Sequence, residues 1–271
     1  MPPITYHNTR GFYIEKYTRK KPMTEMHYHR VFELYYTVEG ERDYFVGDQH
    51  FKLVKHDLLF IPSGVLHRTV GKGATRFLIY FSQSFMERFF AKETLKNLLP
   101  EKPFVFSPKG KCVEQLNEAF SALLFDFNEQ ERSKSKTDSI KLAGGLFKIL
   151  LLIATEENSY TPPEKEDRLS GIIRYINANF ATIEKIEDVA VKFFISKYHL
   201  CHLFKEHLGV SLISYLNTIR IRAACKLLRE GKKKMADIST ACGFNSTSYF
   251  CKVFKDEKGV SPGNYLKSQE D

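Results

Sequence analysis

The chain repeats itself once, late in its length. HLCHLFKEHLGVSLISYL, residues 199–216, and YFCKVFKDEKGVSPGNYL, residues 249–266, agree at Cys201 and Cys251, Phe204 and Phe254, Lys205 and Lys255, Gly209 and Gly259, Val210 and Val260, Ser211 and Ser261, Tyr215 and Tyr265, and Leu216 and Leu266. Two copies are too few for a helical solenoid, and the segment between them is not repeated. The repeat therefore describes a pair of small units. Upstream of each copy lies a short amphipathic stretch, IEDVAVKF at 186–193 and MADISTACGF at 235–244, followed by Ser196 or Asn245 in position to cap the next helix. Each unit reads helix, tight turn, helix. Gly243 supplies the positive φ that such a turn often needs, whereas Phe194 takes that place in the first unit without glycine's freedom.

Two helix-turn-helix units joined by a helix resemble the DNA-binding domain of the AraC/XylS family of bacterial transcription regulators, over residues 166–268. The resemblance rests on LFK..LGVS..YL and VFK..KGVSP..YL, and on RIRAACKLL at 220–228, which looks like the family's linking helix. It implies double-stranded promoter DNA as partner, a small-molecule effector such as a sugar, a homodimer, and RNA polymerase as a further partner if the output is activation.

Geometry points the same way. A helix from Ser211 to Arg229 is about 28 Å long at about 1.5 Å per residue, close to the roughly 34 Å between successive major-groove faces on one side of B-DNA. If Leu200, Leu203 and Phe204, or Phe250, Val253 and Phe254, pack inward on one stripe, other residues are left for the groove. These are Lys197, Tyr198, Cys201 and His202 in the first unit, and Thr247, Ser248, Cys251 and Lys252 in the second. The family resemblance places base-reading side chains at these positions. A solvated helix face touching only phosphate is the alternative.

The N-terminal region is different. From about residue 26 to 105, β-rich runs alternate with turn signals at Glu39-Gly40, Gly47-Asp48 and Pro62-Ser63-Gly64, which suggests a jelly-roll barrel. HYHRVFE and PSGVLH resemble the two cupin motifs, which in metal-dependent cupins supply two His, a Glu and a final His. Here these are His27, His29, Glu33 and His67. Period-2 geometry puts the first three on one strand face with Tyr35 and Thr37. Two positions depart from the motif: His56 and Gly71 stand where it has Gly and Asn. In AraC-type regulators such a barrel senses small molecules, so His27, His29, Glu33, Tyr35 and His67 are expected to hydrogen-bond an effector. His27, His29, Glu33 and His67 are also possible ligands of a divalent metal, although the resemblance favours neither a metal nor a cofactor. The competing function is a cupin metalloenzyme or isomerase with an accessory DNA module; the leading reading is not an enzyme.

Between barrel and DNA domain, Val113, Leu116, Phe120, Leu123, Leu124 and Phe127 recur at helical spacing, and SIKLAGGLFKILLLIATEE continues as a second helix. In the family such helices pack on the barrel and across a dimer; deleting residues 112–160 is then expected to leave a folded monomer. NSYTPPEKEDR, 158–168, reads as a linker.

The expected class is α+β: a cupin-like barrel over 1–110, a helical connector and dimerisation element over 111–160, and an all-α double helix-turn-helix domain over 161–271. Composition agrees, with 43% hydrophobic and 27% charged residues. The net charge of +9 suits a polyanionic partner, but the excess lies at both ends of the chain and singles out neither. MPPITYHNTR has no leader pattern, and LFKILLLIA is too short for a span. Five cysteines without a CxxC pair fit reduced thiols. A cytoplasmic protein without membrane contact is expected.

Overall fold

A computed structural model describes residues 11–19, 26–71, 73–133, 138–156, 160–161, 168–231 and 234–267. The chain divides into two compact units, Met1–Glu166 and Asp167–Asp271.

The first unit holds strands β1 (Phe12–Arg19), β2 (Phe32–Gly40), β3 (Arg42–Val46), β4 (Gln49–Leu53), β5 (Leu58–Ile61), β6 (His67–Val70), β7 (Ala74–Phe81), β8 (Phe104–Phe106) and β9 (Tyr160–Thr161). Its helices are α1 (Gln83–Met86), α2 (Lys92–Leu98), α3 (Lys111–Ser133) and α4 (Asp138–Thr155). The strands form two sheets, ordered β1-β7-β2-β5-β8-β9 and β4-β3-β6, and all pairs are antiparallel.

Strict alternation sorts the large sheet into two faces. Tyr35, Leu59, Ile61, Leu78, Tyr80 and Val105 join Tyr44, Val46, Phe51 and Leu53 of the small sheet in one core. Their neighbours Leu34, Tyr36, Leu58, Phe60, Phe77, Ile79 and Phe81 point the other way, into a second core closed by Leu116, Phe120 and Leu123 of α3 and by Leu142, Leu146 and Ile149 of α4. Both helices therefore cover the barrel of their own chain. Gln130 Nε2 donates to Ser139 Oγ at 3.3 Å, and a Cβ on Gly145 would stand 2.9 Å from Leu123 Cδ1. The pairings run in opposite directions, so α3 and α4 are antiparallel. Deleting 112–160 would strip this face bare, so a folded monomer is not the expected product.

Three sequence expectations need correction. The β-rich runs begin before residue 26, within the expected barrel, because β1 pairs along its whole length with β7. His27, His29 and Glu33 do not share one strand: β2 starts at Phe32, and His27 makes only an isolated bridge to His67. Part of the linker is not a linker either, since Tyr160 and Thr161 pair with Phe106 and Val105; residues 157–159 and 162–167 lie outside the described residues. Of the two motif departures, His56 takes φ 74° and Gly71 φ 81°.

The second unit is helical: α5 (Arg168–Asn179), α6 (Ile186–Lys192), α7 (Lys197–Leu203), α8 (Leu212–Arg229), α9 (Met235–Ala241), α10 (Thr247–Lys258) and α11 (Pro262–Lys267), with a π-helical stretch Phe204–Leu208 extending α7. Phe194 holds φ 53° in the first turn and Gly243 φ 82° in the second. Ser196 caps α7, as expected. The cap of α10 is Ser246 and not Asn245, because the second turn carries one residue more between its left-handed position and the cap. No helix of the described residues is long and apolar enough to cross a membrane.

Candidate functional site

In the barrel, four of the expected residues meet. His67 opens β6, and its backbone exchanges two hydrogen bonds with His27, 3.0 and 2.9 Å. This pairing brings the two rings to 4.2 Å between centroids. His29 stands 4.9 Å from the His67 ring. Glu33, at the start of β2 and 2% exposed, faces both: Oε2 lies 2.9 Å from His29 Nε2 and 3.3 Å from His67 Nε2. Only the His29 contact has hydrogen-bond alignment. Burial opposes the charge on Glu33, yet the facing His67 and His29 outweigh it and hold the carboxyl well below the usual range. Each ring is turned by a carbonyl, since His29 Nδ1 is 2.8 Å from the oxygen of Val31 and His67 Nδ1 2.8 Å from that of Val65. The nearest imidazole nitrogens of His27, His29 and His67 all fall within 4.8 Å of one another.

Tyr35 stands one step away. Its ring packs edge-on against Tyr44 at 5.0 Å, and Tyr44 donates its hydroxyl to Glu33 Oε1 at 3.3 Å. Burial pushes the Tyr44 hydroxyl well above its ordinary pKa. Sequence reasoning missed Tyr44, together with Tyr80, whose ring meets His29 at 5.0 Å, and buried Arg42 and Arg76. Extending period 2 into RDYFV after the Gly40 turn would have found Arg42 and Tyr44.

In the second unit, α7 and α10 present matching faces. Leu200, Phe204, Phe250, Val253 and Phe254 are buried, and Leu203 is half-buried. Lys197, Tyr198, His202, Thr247, Ser248 and Lys252 are exposed; Cys201 and Cys251 are half-exposed. Tyr198 lies parallel to His202, with ring centroids 6.5 Å apart and an interplanar angle of 2°. Lys197 Nζ donates to Glu187 Oε1 at 2.7 Å and His202 Nε2 lies 3.5 Å from Glu206 Oε2, so both already have acidic neighbours within the unit. A cleft of about 580 Å³ separates the two faces, lined among others by Lys197, Cys201, Asn217, Arg220, Ser246 and Tyr249.

Comparison with known proteins identifies both regions. Residues 12–150 match the AraC-like ligand binding domain, and residues 189–268 match a helix-turn-helix domain. The chain belongs to the AraC family of transcription regulators. Its relatives include the HTH-type transcriptional activator RhaR of Pectobacterium atrosepticum, 26% identical over 90% of this chain and 87% of that one. The uncharacterized HTH-type transcriptional regulator YfiF of Bacillus subtilis is 27% identical over 92% and 80%. The regulatory protein PocR of Salmonella typhimurium is 34% identical over 41% of this chain and 37% of its own length. The AraC-family chain is thus a ligand-responsive, DNA-binding transcription regulator, and the relatives named here are regulators.

Proposed function

We propose that each protomer reads two successive major-groove segments of promoter DNA, α7 in one and α10 in the next. The observation that carries this is the pairing of two equally built faces on the ends of one helix. The segments 197–208 and 247–258 are the same length, both are capped by serine at the start and by left-handed Gly209 or Gly259 at the end, and α8 between them is about 27 Å long. Tyr198, Cys201, His202, Ser248, Cys251 and Lys252 read bases; Lys197 and Thr247 flank them. Hydroxyl-radical footprinting tests this: two protected windows on one DNA face, one helical turn apart, are expected per protomer. A single window would overturn the reading.

The barrel interior is where the effector is sensed, with His27, His29, Glu33, Tyr35 and His67 as its polar contacts; their convergence among apolar walls supports this. The protein acts as a homodimer through α3 and α4, works in the cytoplasm where its five free thiols stay reduced, and engages RNA polymerase if its output is activation.

A further inference from the structure

Period 2 along β2 sends Glu33, Tyr35 and Thr37 into the barrel interior in that order, so Thr37 stands about 13 Å from Glu33 at about 3.3 Å per residue. The far end of this row is built differently from the histidine end. Thr37 lies opposite Arg76 of β7, and Arg42 of β3 shares the inward face of Tyr44. Arg76 is 6% exposed and Arg42 1%. Arg76 is held flat in place, because Nη2 donates to Glu15 Oε1 at 3.2 Å and Nη1 to the Tyr17 carbonyl at 3.3 Å. Its guanidinium rests 5.5 and 5.6 Å from the ring centroids of Tyr17 and Tyr35. The charges that act most on the Tyr35 hydroxyl are those of Arg76 and Arg42, ahead of Glu33, whereas at Tyr44 Glu33 comes first. The interior is thus polarised along β2, with a carboxylate at one end and two guanidiniums at the other.

Two hydroxyls at the positive end are idle. Thr37 Oγ1 is fully buried and has no hydrogen-bond partner among the described residues, and the Tyr35 hydroxyl has no aligned one. Buried polar groups are ordinarily paired, so these two mark a place that a polar group enters. A way in exists beside them: on the inward face of β1 the Glu15 side chain is 31% exposed and Tyr17 54%. We propose that the barrel's effector is a sugar acid, a polyhydroxylated carboxylate whose anionic group sits on Arg42 and Arg76 and whose hydroxyls face the Glu33 end. Guanidinium and carboxylate pair through parallel, charge-assisted hydrogen bonds, and the Thr37 and Tyr35 hydroxyls supply further donors to the same oxygens. A neutral sugar would offer the guanidiniums only hydroxyls. An apolar acid would bring nothing for Glu33 and the histidines to bind. The inference rests on the reading of the barrel interior as the effector site and adds the charge that the effector carries.

Full-length protein titrated calorimetrically with glucuronate, galacturonate and gluconate, each beside its neutral parent glucose or galactose, tests it. At least one acid is expected to bind one to one and to raise the melting temperature, with its parent about 10- to 100-fold weaker, the span of one hydrogen bond to a charged group. Arg42→Gln and Arg76→Gln should each weaken the acid by a similar factor and leave the parent unchanged. Thr37→Val covers the case in which an arginine variant does not fold. Its hydroxyl has no partner to lose, so the melting temperature without ligand should hold while acid affinity falls about 3- to 10-fold. No acid bound at millimolar concentration, acid affinity unchanged in both Arg42→Gln and Thr37→Val, or a parent sugar bound as tightly as its acid would overturn the proposal. In the last case, loss of the sugar in His27→Ala would keep the barrel as the effector site. An acid bound through Arg42 that changes nothing in promoter binding would keep the anion site and count against the barrel as a sensor.

Discussion

A Cβ at residue 243 would stand 2.6 Å from the carbonyl oxygen of Ala181. The turn of the second helix-turn-helix unit is thereby pressed onto the segment that follows α5, and Arg220 secures the same place from α8. Its Nε donates to the Phe180 carbonyl at 3.0 Å and its Nη2 to the Ile183 carbonyl at 2.6 Å. The guanidinium lies 5.5 Å from the Phe244 ring. Asn217 and Thr218 add hydrogen bonds from α8 to Tyr249 and Glu257 of α10. These contacts fix α10 against the rest of the unit, which reading two grooves at a set distance requires.

Gly243→Ala should therefore destabilise the second unit by about 2 to 4 kcal/mol, combining left-handed strain with a backbone collision. Phe194 predicts the opposite. It holds φ 53° while 93% exposed, so Phe194→Gly removes strain and loses no packing. A gain of up to about 1 kcal/mol is expected. Denaturant unfolding measures both, and a destabilised Phe194→Gly would show that the ring packs on something in solution.

His202→Ala and Lys252→Ala should each cost about 1 to 3 kcal/mol on the operator and less on random DNA, as loss of a base contact does. Titrations on both DNAs at fixed salt decide it. Equal losses would mean that the two side chains touch only phosphate.

Ile140 and Leu151 of α4 and Phe125 of α3 are exposed, at 60%, 45% and 65%, while Phe120 is fully buried against the sheet. If α3 and α4 form the dimer, Ile140→Lys with Leu151→Lys should yield a folded monomer in sedimentation. Phe120→Ala should instead cost about 3 to 5 kcal/mol of stability. A double-lysine variant that remains dimeric at micromolar concentration would move the interface elsewhere.

The Tyr36 hydroxyl donates to Asn117 Oδ1 at 3.1 Å and lies 3.2 Å from His56 Nδ1, and its ring stacks on Phe120 at 4.9 Å. It connects β2, which carries Glu33 and Tyr35 on its other face, to α3. Tyr36→Phe should cost about 1 kcal/mol, and a double-mutant cycle with Asn117→Ala should show coupling of about 0.5 kcal/mol or more. No coupling would mean that the hydrogen bond does not join strand to helix in solution.

The repeat was legible from the sequence, and with it the two helix-turn-helix units, the capping role of Ser196, the left-handed turns and the outward residues of α7 and α10. All of these follow from local rules: period 3.6, cap chemistry and the φ that a tight turn requires. The barrel's alternation and its four polar residues were legible for the same reason. What tertiary structure alone decided is how those four meet. His29 meets Glu33 four residues along the chain, but His67 joins them from another sheet, where it pairs with His27, and no periodicity spans that gap. Tyr44 enters through the facing sheet, and β1 was invisible until β7 lay beside it, since strand pairing is a long-range property. Asn245 yielded its cap to Ser246, which the spacing of the repeat already sets opposite Ser196; counting from the turn instead misplaced it, because the second turn carries one added residue. Local pattern specifies which face a side chain takes; only the packing of distant strands specifies what it finds there.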